Sequence, residues 1–452
     1  NARLGVMLPY TPLHELLLEE FEAIVLTSGN VSDRPMVFRD ADAKAVLAPL
    51  ADAVLTHDRP IERRVDDSVL CVSLGAPRFV RRARGYAPEP LPLGGNERNI
   101  LAVGAQQKNT FCLARGEDAF VSSHIGDLDD PDTEAAFVRE IAAFERLFDC
   151  TPEVVACDLH PDYASTRYAK SRGLPLVYVQ HHRAHFASVL TETGEKAPAL
   201  GFVWDGTGLG DDGAVWGGEL LYGTTETSER IGRLLPFALL GGEAAVREPW
   251  RCALAVLETA LGREAAFSAF PDRAREAALL FSARDAGVSS PLTTSMGRLF
   301  DAFAAFSGVR LASSEDGQAA VELEQAADVR MLAEEHAGVL RDEAGLLFDW
   351  RSAVRAAVAD MRDGAGARIV SARFHNGLAR LMLDAAREAR AETGCRTVAL
   401  SGGCFLNERL LSGGAAALEE DGFTVLINRL VPCGDGGISY GQAAAAAARQ
   451  RK

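Results

Sequence analysis

Two histidines four positions apart, His181 and His185, sit in Val179-Gln-His-His-Arg-Ala-His185, just after the apolar run Leu174-Pro-Leu-Val-Tyr-Val179. The run reads as a buried strand and the following Phe186-Ala-Ser-Val-Leu190 as a helix. With that helix under way at His181, both imidazoles fall on one face, one turn apart. Imidazoles so placed are ready ligands for a divalent cation. The next apolar run, Ala199-Leu-Gly-Phe-Val-Trp204, delivers Asp205 into Asp205-Gly-Thr-Gly-Leu-Gly210, and a third run spans Ala214 to Tyr222. A carboxylate beside a glycine turn, whose backbone N–H groups can face phosphate, suits a nucleotide. Far along the chain, Pro432-Cys-Gly-Asp-Gly-Gly-Ile-Ser-Tyr-Gly-Gln442 sets Asp435 at another strand-to-helix turn. Two imidazoles and a carboxylate complete a facial metal site with open positions. His181, His185 and Asp435 are therefore the candidate ligands, with Asp205 nearby. Taken singly, a His-x-x-x-His pair is more often surface or core, and Asp-Gly-Thr-Gly more often a plain tight turn. Their closeness, each after an apolar strand, favours chemistry, and His182 is read as structural or as a support behind the ligands.

The elements that must position these residues are legible as a coarse pattern. Ser401-Gly-Gly-Cys-Phe-Leu-Asn407 follows the strand Thr397–Leu400, and a glycine pair between strand and helix is again a phosphate-binding arrangement. Two strand–glycine motifs in two halves predict a two-lobed nucleotide fold with phosphate in the cleft. From 99 to 179, two hairpin strands after a buried first strand, then alternating helices and strands, predict an α/β fold with a mixed sheet. Residues 226–395 read as mostly helical. There Asp301, in Gly297-Arg-Leu-Phe-Asp301, and Glu322, beyond Glu315-Asp-Gly-Gln-Ala-Ala320, either meet ribose hydroxyls or are ordinary surface carboxylates. Pro88-Glu-Pro-Leu-Pro-Leu-Gly-Gly95 reads as a linker, which divides the chain into domains 1–93 and 94–452. The first domain should hold helices over 13–22 and 41–50 and strands over 23–26, 53–55 and 69–73. Its polar turn Thr27-Ser-Gly-Asn30 and the arginines Arg78, Arg81, Arg82 and Arg84 suit an anionic ligand or form a solvated basic edge.

With 452 residues, 48% hydrophobic and 24% charged, the chain can bury large cores in two or three domains. A net charge of −16 argues against nonspecific nucleic-acid binding and against an anionic membrane surface. No apolar run reaches membrane-spanning length and no signal peptide is present, so a cytoplasmic location is expected. The eight cysteines are scattered without a Cys-x-x-Cys, which fits free thiols in a reducing compartment and no zinc–cysteine site. The start at Asn1, without Met and close to a strand-like Leu4–Leu8, suggests the C-terminal part of a longer protein.

Taken in order, several motifs resemble one family. They are Gly104-Ala-Gln-Gln-Lys-Asn-Thr-Phe-Cys-Leu113, Ser123-His-Ile-Gly-Asp-Leu128, Cys157-Asp-Leu-His-Pro-Asp-Tyr163, Val179–His185, Asp205-Gly-Thr-Gly, Trp216-Gly-Gly-Glu219, Gly297–Asp301, Leu400–Asn407 and Asp435-Gly-Gly-Ile-Ser. Together they resemble the HypF carbamoyltransferases of nickel–iron hydrogenase maturation. Upstream, Thr27–Asn30, Arg64-x-Asp-Asp-Ser68 and Arg81-Arg-Ala-Arg-Gly-Tyr86 are similar to the second half of that family's YrdC-like domain. The resemblance implies an α/β chain in which a partial YrdC-like domain precedes a two-lobed, TsaD-like domain of the actin/hexokinase type. It implies a carbamoyl group taken from carbamoyl phosphate with ATP, passed on as carbamoyl adenylate, and delivered with help from a bound metal to the C-terminal cysteine of a HypE-type acceptor protein. An acyl adenylate is labile in water, so an enclosed, metal-holding site suits the chemistry. Carried over position by position, the metal falls on His181, His185 and Asp435, with His181, His185 and Asp205 catalytic; the metal is Fe, Zn or Mg. Nucleotide contacts fall on Gly206, Thr207, Gly402, Gly403 and Asn407, and on Asp301, Gly317 and Glu322. In the first domain the ligand contacts fall on Ser28, Asn30, Arg64 and Ser68.

The chain also departs from the family. The acylphosphatase domain, the zinc-finger-like cysteine motifs and the first half of the YrdC-like domain have no counterpart in this sequence. As given, the chain is expected to transfer a ready-made adenylate rather than to synthesise one efficiently. Glu315-Asp316 stands where the family usually has Tyr-Glu. Two other readings share the motifs: an O-carbamoyltransferase acting on a small-molecule hydroxyl, whose two domains come in the opposite order, and a non-catalytic unit for docking HypE.

Overall fold

Pairing, rather than propensity alone, decides which of the apolar runs become strands. The computed structural model describes residues 3–30, 36–328 and 337–450. It divides into two compact units, Asn1–Asp66 and Asp67–Lys452. In the first, Thr11 caps the short helix Pro12–Leu17 by accepting from the His14 N–H at 3.2 Å. The helix ends well before residue 22, where Glu19, Glu20 and Glu22 would load the negative end of its dipole. A second helix, Asp40–Val46, gives way to a 3₁₀ turn, Ala48–Leu50, around Pro49. The runs 23–26 and 53–55 are not strands, because the described residues of this unit offer them no pairing partner.

The second unit opens with a hairpin, β1 (Val69–Ser73) and β2 (Ala76–Arg81). Arg78 of this hairpin is buried and donates through Nη1 to the Phe405 carbonyl and through Nη2 to the Cys433 thiol, each at 2.7 Å. Arg429 Nη1 in turn donates to the Ser73 carbonyl at 3.2 Å. Residues 67–93, which the sequence groups with the first domain, therefore pack as part of the second unit.

Behind the hairpin lies a six-stranded mixed sheet of β3 (Leu91–Pro92), β4 (Ile100–Ala102), β5 (Cys112–Arg115), β6 (Asp118–Val121), β7 (Val154–Cys157) and β8 (Leu176–Tyr178), in the order β3-β6-β5-β4-β7-β8. Side chains alternate across it. Leu101 and Leu113 face Phe137, Ile141 and Phe144 of the helix Pro131–Leu147. Ile100 and Ala102 face Tyr440, Ala443 and Ala447 of the C-terminal helix Ile438–Gln450.

The larger sheet holds β9 (Ala199–Leu209), β10 (Val215–Gly223), β11 (Ser228–Leu234), the short β12 (Phe237–Ala238) and β13 (Leu292–Thr293), then β14 (Gly338–Asp342), β15 (Gly345–Asp349), β16 (Thr397–Ser401) and β17 (Thr424–Ile427). Its main order is β14-β15-β11-β10-β9-β16-β17, with β16 parallel to both neighbours. One face carries the main core, where Phe202 and Trp204 meet the helices Pro249–Leu261, Met296–Phe306 and Gly366–Thr393. The other face receives Phe186, Val189 and Leu190 of the helix His181–Thr193. That helix also packs, through Ala184 and Ala187, on Ile438 and Ala445 of the C-terminal helix. The two helices thus form the layer shared by both lobes, and no helix of the described residues is long and apolar enough to cross a membrane.

Candidate metal and nucleotide site

The helix must begin at His181 for the histidine pair to share a face, and Gln180 makes it begin there. Its side-chain oxygen accepts from the Arg183 N–H at 3.0 Å, and its amide nitrogen donates to the Leu209 carbonyl of β9 at 2.9 Å. His181 and His185 are both buried, with ring centroids 5.0 Å apart. His181 Nδ1 lies 3.0 Å from Asp158 Oδ2, a carboxylate just beyond the end of β7. A carboxylate at Nδ1 fixes the ring and its tautomer, leaving Nε2 to face the site. His185 Nδ1 is buried without a hydrogen-bond partner among the described residues.

Asp205 and Asp435 arrive from the other side. Asp205 Oδ2 stands 2.9 Å from His185 Nε2 and 3.4 Å from His181 Nε2. Asp435 Oδ1 stands 3.7 Å from His181 Nε2 and 3.9 Å from His185 Nε2. One donor atom from each of the four residues lies within 4.8 Å of every other. A first-row ion about 2.1 Å from each ligand sets neighbouring donors roughly 3.0–3.4 Å apart, so this set closes on one ion with shifts below 1 Å. The electrostatics agree. Burial opposes a charged His181, yet the carboxylates of Asp158, Asp205 and Asp435 hold its pKa well above the usual value. Burial likewise opposes a charged Asp205, but hydrogen bonds from the two imidazoles keep it well below the usual carboxylate range. The pocket therefore favours positive charge. His182, by contrast, is held neutral by burial and by its neighbour His181, and its Nδ1 pairs with Gln180, in keeping with a structural role.

Around the donors, the glycine segments are differently shaped from what the sequence suggests. Asp205-Gly-Thr-Gly is no turn: β9 runs through it to Leu209, with a bulge opposite Gly217, and the chain reverses only over Gly210–Ala214. β10 pairs with Trp204 before the segment and with Gly208 at its end, which carries the strand through it, while β16 pairs only as far as Val203. Asp205 Oδ1 accepts from the Gly206 N–H at 2.7 Å and the Gly403 N–H at 3.2 Å, which ties the two glycine segments to the carboxylate that faces the imidazoles. The Asp435 turn is held by Thr110, whose hydroxyl donates to the Gly436 carbonyl at 3.0 Å. Lys108, from the same loop, pairs with Asp316 of the other lobe and is drawn by the fields of Asp435 and Asp205.

Other expected contacts are occupied in the fold. Asp301 is buried, with Oδ2 3.1 Å from Arg298 Nε, and is not a surface carboxylate. Glu322 Oε2 accepts from Arg310 Nε at 2.8 Å, and Gly317, at φ 71°, precedes the helix Gln318–Ala326. Asn407 caps the helix Glu408–Glu420 by accepting from the Leu410 N–H at 2.9 Å. Gly206 is half-buried, and Thr207 is exposed at the cleft. Ser28 Oγ donates to Asn30 Oδ1 at 2.5 Å in the first unit, which also holds Arg64. Ser68 lies in the second unit, where its hydroxyl donates to the Arg84 carbonyl at 2.9 Å.

Asn407 also makes a testable contact, its amide nitrogen standing 2.8 Å from His375 Nε2. Burial pushes His375 down to about 4, against the pull of the Ser371 carbonyl on Nδ1. The unfolded chain then binds a proton that the folded chain refuses. Stability should fall as pH drops from about 6.5 towards 4, by up to about 3 kcal/mol. His375→Gln should flatten that acid limb, measured as urea midpoints between pH 7 and pH 4; an unchanged slope would refute the assignment.

Sequence reasoning did not single out Asp158, Lys108, Arg298 or Gly441. Asp158 carried a usable signal, since it ends an apolar strand as Asp205 follows one. Gly441 and Arg298 had none, because their roles depend on which helices meet.

Comparison with known proteins identifies the architecture that carries these residues. Residues 201–442 fit the profile described as "Carbamoyltransferase, Kae1-like Domain, second subdomain", and residues 95–192 the "HypF Kae1-like domain". Residues 1–83 fit the Sua5/YciO/YrdC profile described as "Telomere recombination". Carbamoyltransferase HypF of Rhizobium leguminosarum bv. viciae is 42% identical over 98% of this chain and 58% of its own length. A solved full-length HypF, in a phosphate- and nucleotide-bound form, superposes with a TM-score of 0.94 at 41% identity, covering 99% of this chain and 60% of that one. The chain thus spans about three fifths of these two relatives. A carbamoyltransferase HypF homolog of Cupriavidus necator, 37% identical over 79% of this chain, is itself covered to 94%. The two lobes accordingly have the Kae1-like architecture of the actin/hexokinase type, preceded by a YrdC-like segment. A relative matched over nearly its whole length, and profiles that together span both lobes, leave one conclusion: the chain belongs to the HypF carbamoyltransferase family.

Proposed function

We propose that this chain carries out carbamoyl transfer in nickel–iron hydrogenase maturation, from carbamoyl adenylate to the C-terminal cysteine of a HypE-type acceptor. The adenylate derives from carbamoyl phosphate and ATP. The observation that carries this reading is the convergence of His181, His185, Asp205 and Asp435 beside the glycine segments of Gly206 and Gly403. The nucleotide- and phosphate-bound state of the solved relative supports a nucleotide here. The eight free thiols support a reducing, cytoplasmic setting.

The donor set of imidazoles and carboxylates suits Fe, Zn or Mg, and a cation held there would polarise the carbamoyl oxygen as a Lewis acid. The protein's own share is positional. Asp158 orients His181, and Asp205 links the imidazoles to the Gly206 and Gly403 amides. Lys108 and Asp316 join the lobes where substrate enters. In the transfer itself the acceptor thiolate forms a bond to the carbamoyl carbon, the carbon–oxygen bond to phosphate breaks, and AMP leaves with the electron pair. Burial of the reacting group slows its hydrolysis.

The test offers the chain carbamoyl adenylate and a peptide ending in cysteine, and follows the peptide by mass spectrometry. A thiocarbamate should form, should vanish after treatment with a chelator, and should return when divalent cation is restored. A peptide that stays unmodified in the presence of cation would defeat the reading.

A further inference from the structure

Asp301 reads from the sequence as a ribose contact or a surface carboxylate, yet its carboxylate is buried and faces Arg298. Side-chain exposure is 4% for Asp301 and 5% for Arg298. Arg298 lies in the first turn of the helix Met296–Phe306. Ser295 caps this helix, accepting from the Arg298 N–H at 3.1 Å while its hydroxyl donates to the Gly206 carbonyl at 2.7 Å. The contact is close enough that a Cβ on Gly297 would come within 2.8 Å of Gly206 Cα. The positive end of the helix dipole is therefore fixed against the half-buried Gly206 segment at the cleft.

The arginine reaches the same place. Its Nη2 lies 3.6 Å from where a Cβ on Gly206 would stand. Asp316, at the junction of the lobes, attracts the guanidinium electrostatically. The Gly206 and Gly403 N–H groups both donate to Asp205 Oδ1, so the arginine, beside Gly206, stands next to the place where the two glycine segments meet. Its Nη1 and Nε have no hydrogen-bond partner among the described residues, although Asp301 lies near Nε. A guanidinium carries five donors, and leaving them unfilled in a buried site is costly. Asp316 does not fill them, being paired with Lys108.

We infer that Arg298 is the phosphate contact of the transfer site, receiving the nucleotide phosphate between Gly206 and Gly403, and that Asp301 is a positioning residue that aims it. The inference rests on the reading that this cleft takes an adenylate. As the carbon–oxygen bond breaks, the departing phosphate gains negative charge, and a guanidinium already fixed beside it stabilises that charge without reorganising.

Calorimetry on the full chain, with AMP and adenosine as separate probes, tests this. Arg298→Met should weaken AMP binding about tenfold to a hundredfold while leaving adenosine affinity and cation content unchanged, and Arg298→Lys should recover part of the loss. Asp301→Asn should keep adenosine affinity, which a ribose contact would not. Because Arg298→Met leaves Asp301 buried without its partner, the double variant Arg298→Met with Asp301→Leu is measured beside it, with the same expectation. If the parent prefers AMP and the variants keep that preference, or lose adenosine equally, the arginine assignment is overturned and the adenylate reading stands. If the parent does not distinguish AMP from adenosine, both fall.

Discussion

Replacing His181 and His185 together by alanine should abolish divalent-cation binding and carbamoyl transfer, while far-ultraviolet circular dichroism stays that of the parent. The helix His181–Thr193 does not depend on either imidazole to form. Gln180 caps it, Gly194 ends it, and Phe186, Val189 and Leu190 bury its other face. The loss should exceed a thousandfold in cation affinity, since changing an outer partner alone costs about tenfold to a hundredfold. Asp158→Asn supplies that smaller step. It leaves all four donors in place but removes the carboxylate at His181 Nδ1, so affinity should fall about tenfold to a hundredfold. Metal analysis of purified protein decides the matter, and equal cation content in parent and double variant would end the assignment.

A change at Gly441 should be nearly as damaging, although Gly441 touches no ligand. A Cβ there would stand 1.8 Å from the Ala184 carbonyl oxygen and 2.6 Å from its carbon. Both are backbone atoms of the histidine helix, so no side chain can swing aside. Gly441→Ala must push apart the helices that carry the imidazoles and follow the Asp435 turn. The expected cost is about 2–4 kcal/mol of stability from overpacking and lost contact. Cation affinity should drop with it, because the separation of His181 and His185 from Asp435 is set by this contact. Thermal unfolding with and without added cation would show both effects, and an alanine variant as stable and as cation-binding as the parent would contradict them.

Much of this centre was written in short-range pattern. A capped helix after an apolar strand puts His181 and His185 on one face whatever lies around them, and the structure shows that face. Asp435 was legible because strand, glycine turn and helix follow one another in sequence. Asp205 was found, but its surroundings were misread. Glycines suggest a turn locally, whereas the pairing of Trp204 and Gly208 with β10 carries the strand through the segment. The strands expected at 23–26 and 53–55 failed for the complementary reason, since apolar residues of the right type do not form a strand without a neighbour. The pairing of Asp301 with Arg298 was open to view as an i, i+3 spacing on a helix. Only the packing of that helix on Gly206 shows that the pair is buried.

The attachment of Arg78 bears on where this protein can be divided. By sequence profile the hairpin belongs to the YrdC-like segment, yet by packing it belongs to the lobes. A fragment begun after the proline-rich stretch at 88–95 would lack the guanidinium that serves the Phe405 carbonyl and the Cys433 thiol. Those two atoms lie on the loops that present Gly403 and Asp435. A fragment of the lobes that keeps these contacts must therefore be cut ahead of Asp67, and the hairpin is best regarded as a graft onto the floor of the lobes.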